Sequence, residues 1–109
     1  PYSQAIVHGG LLFTSGQIAI NPASGQVEAD TIEGQTEQVM KNLAALLEEA
    51  GASFDSVIKT TCFLSDMADF AAFNAIYGAY FVSKPARSCV AAKQLPKNVL
   101  VEVELIAAV

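Results

Sequence analysis

The chain has 109 residues, which is the usual size of one domain spanning residues 1–109. Hydrophobic residues make up 52% and charged residues 16% of the sequence, against about 25% charged in an average soluble domain, so we expect exposed apolar surface and a homo-oligomer that covers it. The formal net charge of −5 and the unclustered basic residues argue against binding to nucleic acid or to an anionic membrane surface.

The first predicted element is a β-hairpin. Residues 5–8 and 11–20 are apolar strands, and Gly9-Gly10 between them supplies the positive φ angles of a tight turn. Near the end of the second strand, Gly16 permits the close approach of another backbone or of a ligand. Turn-forming residues at positions 21–25 predict a surface loop after the hairpin.

A helix is predicted next. Asp30 and Glu33 have the spacing of a capping box, and apolar residues recur at helical spacing until Gly51, which we expect to end the helix. The helix is therefore amphipathic, and we expect its apolar face to pack against a sheet.

The second half of the chain begins with a strand and a helix. Residues 57–64 are rich in β-branched side chains, which favours a strand. Asp66 or Asp69 then caps a second helix, which we expect to end at Lys84-Pro85 because proline disfavours the helical conformation of the residue before it. Its predicted buried stripe consists of Phe70, Phe73, Ile76, Tyr77 and Tyr80.

Two further strands, residues 87–92 and 99–108, complete the element order β-β-α-β-α-β-β, with a short turn at residues 95–98 between them. This order predicts an α/β two-layer sandwich, in which a mixed β-sheet carries two helices on one face. The other face is rich in valine, leucine and alanine, and we expect subunits to cover it by packing sheet against sheet.

The last predicted strand contains two carboxylates. Glu102 and Glu104 lie on the same face of it, between apolar neighbours. A buried carboxylate without a partner is costly, so at least one of them should contact a cation or lie in a polar pocket. The alternative is an edge strand whose acids face water, and the pattern alone favours this alternative.

Arg87 opens the strand that the short turn predicts to lie beside the strand of Glu102. A guanidinium group binds carboxylates through two parallel hydrogen bonds and stays charged near pH 7. Arg87 therefore either forms a structural salt bridge with Glu102 or Glu104, or it binds a carboxylate of a ligand. Cys89 shares its face with Arg87, and we expect it to pack as a small side chain because His8 is the only histidine that could activate a thiol.

Several other kinds of site find no support in the sequence. Two cysteines and one histidine do not form a metal-binding pattern, and no nucleotide-binding or serine-hydrolase motif occurs, so we expect neither a metal site nor a nucleotide cofactor. No apolar run approaches the ~20 residues of a membrane span, and no signal peptide opens the chain, which favours a cytoplasmic location. The chain begins at Pro1 without a methionine, and we expect a short segment to precede it.

Taken together, segments along the whole chain resemble the YjgF/RidA family, also known as reactive intermediate deaminases and as L-PSP or translation-inhibitor proteins. The most specific segments are Pro-Ala-Arg-Ser-Cys-Val at residues 85–90 and Val-Glu-Val-Glu at 101–104. The others are PYSQA at residues 1–5, TSGQ at 14–17, VIKTT at 57–61 and LPK at 95–97, with Asp69, Phe70, Asn74 and Tyr77.

The resemblance to the RidA subfamily implies a chorismate-mutase-like subunit in a homotrimer, with active sites in the clefts between subunits. It implies hydrolysis of 2-imino and enamine acids (2-aminoacrylate, or its imine 2-iminopropanoate, and 2-iminobutanoate) to 2-oxo acids and ammonium, without cofactor or metal. Arg87 would bind the substrate carboxylate, and Glu102, kept ionised by Arg87, would position or activate water. Further residues implied at the site are Cys89, mainly through its backbone, with Tyr2, Asn74, Ser15 and Gly16.

The chain departs from the family pattern close to Arg87. The loop between Tyr80 and Pro85 is about one residue shorter than in close relatives, and Ala91 stands where many relatives have glutamate. Two other functions stay open. The first is a regulatory protein that binds a small carboxylate or metabolite. The second is the endoribonuclease or translation-inhibitor activity historically assigned to the family, which requires RNA contact from an acidic chain.

Overall fold

The computed structural model describes residues 1–109 and contains nine strands and helices. The strands are β1 (Ala5–His8), β2 (Leu11–Thr14), β3 (Ile20–Asn21), β4 (Gln26–Val27), β5 (Val57–Leu64), β6 (Ala86–Ala91) and β7 (Val101–Ala108), and the helices are α1 (Ile32–Glu49) and α2 (Phe70–Tyr80). Short 3₁₀ helices lie at Phe54–Ser56, Met67–Asp69 and Pro96–Asn98. Neither α1 nor α2 is long and apolar enough to cross a membrane.

Five strands form one sheet in the order β1-β2-β7-β5-β6, and β3 and β4 form a separate small ribbon. All pairs in the large sheet are antiparallel except β5 and β6, which run parallel because α2 provides the crossover between them. Both helices pack on one face of the sheet, the helix-facing side; the opposite face is called the open side. The predicted two-layer sandwich with a mixed sheet is thus confirmed.

The expected positions of the last two strands are wrong. β7 is the central strand of the sheet and not an edge strand, and β5 lies between β6 and β7. The reason is the segment between them, which passes over the end of β5: the Ala92 amide donates to Leu64 O at 2.9 Å, and the Ser65 amide donates to Leu100 O at 3.0 Å. The strands of Arg87 and Glu102 are therefore not neighbours.

The helix ends differ from the predicted ones by a few residues. α1 is capped by Thr31 and not by Asp30, because the Thr31 hydroxyl accepts the Gly34 amide at 3.1 Å. Gly51 follows the last helical turn with φ +74, so the prediction that it ends the helix is confirmed. Asp66 caps the 3₁₀ turn that precedes α2, and α2 ends at Tyr80, before the predicted stop at residues 84–85.

The second strand of the first hairpin is shorter than predicted. β2 ends at Thr14, and the chain then leaves the ladder until Gln17, which forms a single antiparallel bridge with Val103. The irregular segment between them contains Ser15 and Gly16. This segment holds the N-terminal residues through the Ser15 amide, which donates to Gln4 O at 2.9 Å.

The core lies between the sheet and the two helices. Alternate residues of β7 are buried on the helix-facing side, where they meet buried residues of α1 and α2. They are Val101, Val103, Leu105 and Ala107 from β7, Val39, Met40, Leu43 and Leu47 from α1, and Phe73 and Tyr77 from α2. The open side keeps apolar side chains in contact with solvent, among them Ile6 (53% exposed), Phe13 (40%) and Val90 (49%). Its cover by other subunits stays a prediction.

Candidate functional site

Arg87 projects from β6 towards α2. It pairs in register with Thr60, which in turn pairs with the buried Leu105, so all three lie on the helix-facing side. Its Nη1 atom donates a hydrogen bond of 2.6 Å to Asn74 Oδ1. The guanidinium carbon lies 4.8 Å from the centre of the Tyr77 ring and 5.4 Å from that of Phe70. Two cation–π contacts and a hydrogen bond therefore orient the guanidinium group.

The residues that hold Arg87 form one row on α2. Phe70, Asn74 and Tyr77 are separated by four and three residues, which places them on the same helix face. Tyr77 is itself fixed, because its hydroxyl is hydrogen-bonded to Thr60 Oγ1 at 2.7 Å, and burial raises the pKa of this hydroxyl. Tyr77 is thus neutral near pH 7, and its hydrogen bond to Thr60 holds the ring beside the guanidinium.

A cavity of about 530 Å³ opens beside the guanidinium group. The Arg87 cavity is lined by Asn74, Tyr77, Gly78, Phe81, Val82, Lys84, Pro85 and Arg87. Arg87 forms no ion pair with a carboxylate of its own chain, and its one side-chain hydrogen bond uses a single donor of the guanidinium. The remaining donors are available to a ligand, and a carboxylate is the group whose geometry matches them.

Of the two alternatives for Arg87, the structural salt bridge with a glutamate of the last strand does not occur within one chain. Glu102 pairs in register with Phe63, and Glu104 pairs with Thr61, so both carboxylates lie on the open side of the sheet. Two strand spacings, about 10 Å, and the thickness of the sheet separate Arg87 from Glu102. Within one chain these two side chains do not reach each other.

The Glu102 carboxylate packs directly over Gly16. A Cβ atom on residue 16 would overlap Glu102 Oε2 and would lie 2.8 Å from its Cδ, so only glycine leaves room for this side chain. Gly16 is closely approached, but the approaching group is a side chain of the same chain and not the backbone or ligand that was predicted. An alanine at this position would displace the carboxylate.

A second cavity, of about 410 Å³, opens at the carboxylate. The Glu102 cavity is lined by Tyr2, Ser15, Gly16, Ile18, Ile20, Pro96, Lys97 and Glu102. The Ser15 hydroxyl donates to Ser3 O at 2.6 Å, which holds the segment of Tyr2 against the cavity. Tyr2 itself is 70% exposed, so most of its ring is accessible from outside the chain.

The surroundings of the Glu102 carboxyl differ from the expected ones. Burial raises the pKa of the Glu102 carboxyl, and the nearby Glu104 carboxylate raises it further. Within one chain Arg87 is too distant to favour the ionised form, so the expectation that Arg87 keeps Glu102 charged is not met inside a single protomer. Glu102 is therefore easier to protonate than an ordinary glutamate, a property common in groups that exchange protons.

Cys89 lies two residues after Arg87 on the helix-facing side and does not line the Arg87 cavity. Burial raises the pKa of its thiol, and Arg87 only partly opposes this effect. Its register partner Cys62 is fully buried, and its pKa is raised to about 12. Both cysteines are thiols near pH 7, which agrees with the interpretation of Cys89 as a packing residue.

The predicted site residues thus form two groups. Arg87 and Asn74, with Cys89 beside them, belong to the helix-facing side of β6, whereas Tyr2, Ser15, Gly16 and Glu102 line the second cavity. The sequence interpretation placed Phe70 and Tyr77 on the buried face of the second helix and missed that both rings contact the Arg87 guanidinium. It also missed Lys84 and Lys97, which line one cavity each. The spacing of residues 70, 74 and 77 places them on one helix face, and this spacing could have indicated that they contact the same partner.

Comparison with known proteins gives a family match over the whole chain. The family described as Endoribonuclease L-PSP matches residues 1–109. A protein of Lactococcus lactis described as a candidate regulator, AldR, is 56% identical over 110 residues, covering 100% of this chain and 87% of the relative. The 2-iminobutanoate/2-iminopropanoate deaminase of Escherichia coli is 44% identical over 111 residues, covering 98% of this chain and 86% of the relative.

A solved structure gives the same fold. TdcF of E. coli, whose crystal structure contains bound serine, superposes with a TM-score of 0.93 at 39% identity, covering 100% of this chain and 88% of that chain. The relatives therefore include a named deaminase, a candidate regulator and a protein that binds an amino acid.

Proposed function

The chain belongs to the L-PSP endoribonuclease family, which includes the RidA-type deaminases, and we propose from this membership that it hydrolyses 2-imino acids to 2-oxo acids and ammonium. The observation that carries the proposal is Arg87: an oriented guanidinium group without a carboxylate partner, beside an open cavity. A 2-imino acid has the carboxylate that such a group binds. Serine, the ligand in the TdcF structure, also has a carboxylate next to the carbon that bears nitrogen.

We propose further that three copies of the chain associate and that each active site combines Arg87 of one protomer with Glu102 of the next. Two observations and one argument from symmetry support this arrangement. Arg87 and Glu102 lie on opposite sides of one sheet, each beside its own open cavity. The open side also exposes apolar residues that an interface would bury. A cyclic trimer joins the two different cavities three times with a single kind of contact.

The proposed chemistry needs orientation more than strong activation, because a protonated imine carbon is already electrophilic. Arg87 holds the carboxylate and thereby fixes the imine carbon near Glu102. Water transfers a proton to the Glu102 carboxylate while its oxygen bonds to the imine carbon, which gives a carbinolamine. Glu102 then protonates the nitrogen, and the C–N bond breaks with its electrons going to nitrogen, which releases ammonia. The regenerated Glu102 carboxylate takes the hydroxyl proton as the C=O bond forms and passes it to the ammonia. The products are the 2-oxo acid and ammonium.

The test generates 2-iminobutanoate in situ with a pyridoxal-phosphate dehydratase and traps the remaining imine with semicarbazide. We expect the wild-type chain to accelerate formation of 2-oxobutanoate and ammonium in proportion to its concentration. The same samples are incubated with labelled single-stranded RNA, since the family description names an endoribonuclease. Unchanged imine decay would contradict the proposal, and RNA cleavage without imine hydrolysis would replace it.

A binding or regulatory role is the second candidate, favoured by the similarity to AldR. It uses the same Arg87 cavity but needs no proton transfer. Glu102→Gln separates the two functions, because a binding protein keeps its ligand affinity whereas a hydrolase loses turnover. Calorimetry with 2-oxobutanoate measures the ligand affinity, and the imine assay on the same sample measures the turnover.

The pH dependence of the reaction should respond to Glu104. Glu102 acts as a base only when ionised, so kcat/KM should fall as the pH drops through the raised pKa of Glu102. Glu104→Gln removes one cause of that raised pKa, and we expect the acid limb of the kcat/KM profile to move to lower pH. A limb that stays in place, or that moves to higher pH, would argue against Glu102 as the base.

A further inference from the structure

The Arg87 cavity has a charge distribution that the proposed chemistry with simple 2-imino acids does not use. The chain carries 11 acidic and 6 basic residues. Two of the basic ones, Lys84 and Arg87, line this single cavity, and none of its eight lining residues is acidic. Within one protomer this cavity has two cations and no carboxylate, which suits a ligand with two negative groups. The Glu102 carboxylate that the proposed assembly adds comes from a cavity that Lys97 also lines, so the combined site keeps an excess of two cations.

Lys84 is not engaged elsewhere in the chain. Only Lys59 and Arg87 among the basic residues donate a side-chain hydrogen bond within the chain, to Ser88 and Asn74 respectively. The Lys84 ammonium forms no ion pair with an acidic residue. No role in holding the fold therefore accounts for this charge.

The backbone around Lys84 determines the point from which its side chain extends. Its φ of +57 is in the left-handed region, which glycine or asparagine usually occupies. The Lys84 amide donates to Phe81 O at 3.1 Å, and Pro85 follows it directly. Because Arg87 is only three residues further along, the two Cα atoms are at most about 11 Å apart. Two long side chains cover that separation with a small ligand between them.

We propose that Lys84 is a specificity residue that lets the cavity accept 2-imino acids with a second carboxylate at the end of the side chain. This inference deepens the proposed function and rests on it. Arg87 binds the carboxylate next to the imine, and Lys84 binds the distal one. The substrates of this class derive from acidic amino acids, so the reactions that supply them oxidise or dehydrogenate a dicarboxylic amino acid.

The test uses the 2-oxo acid products as probes, because binding can be measured without turnover. Calorimetry at low salt gives the Kd of 2-oxobutanoate divided by the Kd of 2-oxoglutarate. An exposed ion pair changes affinity by up to about fivefold, so we expect a ratio of about five for the wild-type chain. Lys84→Gln should bring the ratio close to one, and Lys84→Arg should preserve it. Lys41→Gln removes a cation from the exposed surface of α1 and should leave the ratio unchanged.

Turnover of 2-iminoglutarate relative to 2-iminobutanoate should follow the same pattern. A wild-type ratio near one, undetectable binding of 2-oxoglutarate, or equal ratios in wild type and Lys84→Gln would overturn the inference. Tighter binding of 3-phosphoglycerate than of 2-oxoglutarate would assign the second group as phosphate and would overturn the dicarboxylate. If neither imine is hydrolysed but the binding ratio depends on Lys84, the proposed function fails while the ligand class stands.

Discussion

Replacing Arg87 by alanine is expected to lower kcat/KM for 2-iminobutanoate by about 100- to 1,000-fold, which corresponds to losing one partner of a desolvated, hydrogen-bonded charge pair. Arg87 is held by Asn74 and by the rings of Phe70 and Tyr77, so its donors meet the substrate already oriented. Its loss therefore removes both the affinity for the carboxylate and the alignment of the imine carbon. Initial rates of 2-oxobutanoate formation measure the effect.

Two controls separate this role from a general loss of charge or fold. Arg87→Lys keeps the charge but not the planar pair of donors, and we expect it to restore only part of the activity. Lys41→Ala removes a cation from an exposed part of α1 and should change kcat/KM by less than about twofold. Arg87→Ala should stay folded, because the two ring contacts contribute about 1–2 kcal/mol. Activity within twofold of wild type in a folded Arg87→Ala protein is the contradicting result.

The sequence predicted the elements and their layering well, because these depend on local patterns. The recurrence of apolar residues before Gly51 and the β-branched run of β5 are local signals, and both elements form where predicted. Strand order is not local. The segment after β6 passes over the end of β5, and no residue type between positions 92 and 100 indicates that crossing. Hence the local pattern around Glu102 favoured an edge strand, although β7 is the central strand of the sheet.

The candidate site was predicted by residue type and not by geometry. The sequence identified Arg87 and Glu102, but it could not show that β5 separates their strands or that they leave opposite sides of the sheet. Side-chain contacts were also hidden. Phe70 and Tyr77 have the spacing of core residues, and only the position of α2 beside β6 brings their rings into contact with the Arg87 guanidinium. The fit of Glu102 over Gly16 depends on the irregular segment after β2, which the pattern predicted as strand.

Mixing two inactive variants is expected to restore activity, and this is the sharpest consequence of the opposite placement of Arg87 and Glu102. Arg87→Ala and Glu102→Gln should each retain less than about 1% of the wild-type activity. In trimers assembled at random from equal amounts of both, a site is intact when one protomer supplies Arg87 and the next supplies Glu102. This combination occurs at about a quarter of the sites, so we expect about a quarter of the wild-type activity.

The matched control mixes Arg87→Ala with Asn74→Ala, because Asn74 contacts Arg87 within one chain and lies in the same cavity. Every site of that mixture carries one of the two defects, so its activity should equal the average of the separate variants. Differently tagged protomers allow mass spectrometry to verify that exchange has occurred. If exchanged trimers of Arg87→Ala and Glu102→Gln stay as inactive as either parent, the two residues do not meet across an interface. In that case Glu102 serves a purpose other than catalysis beside Arg87, because within one chain the sheet keeps them apart.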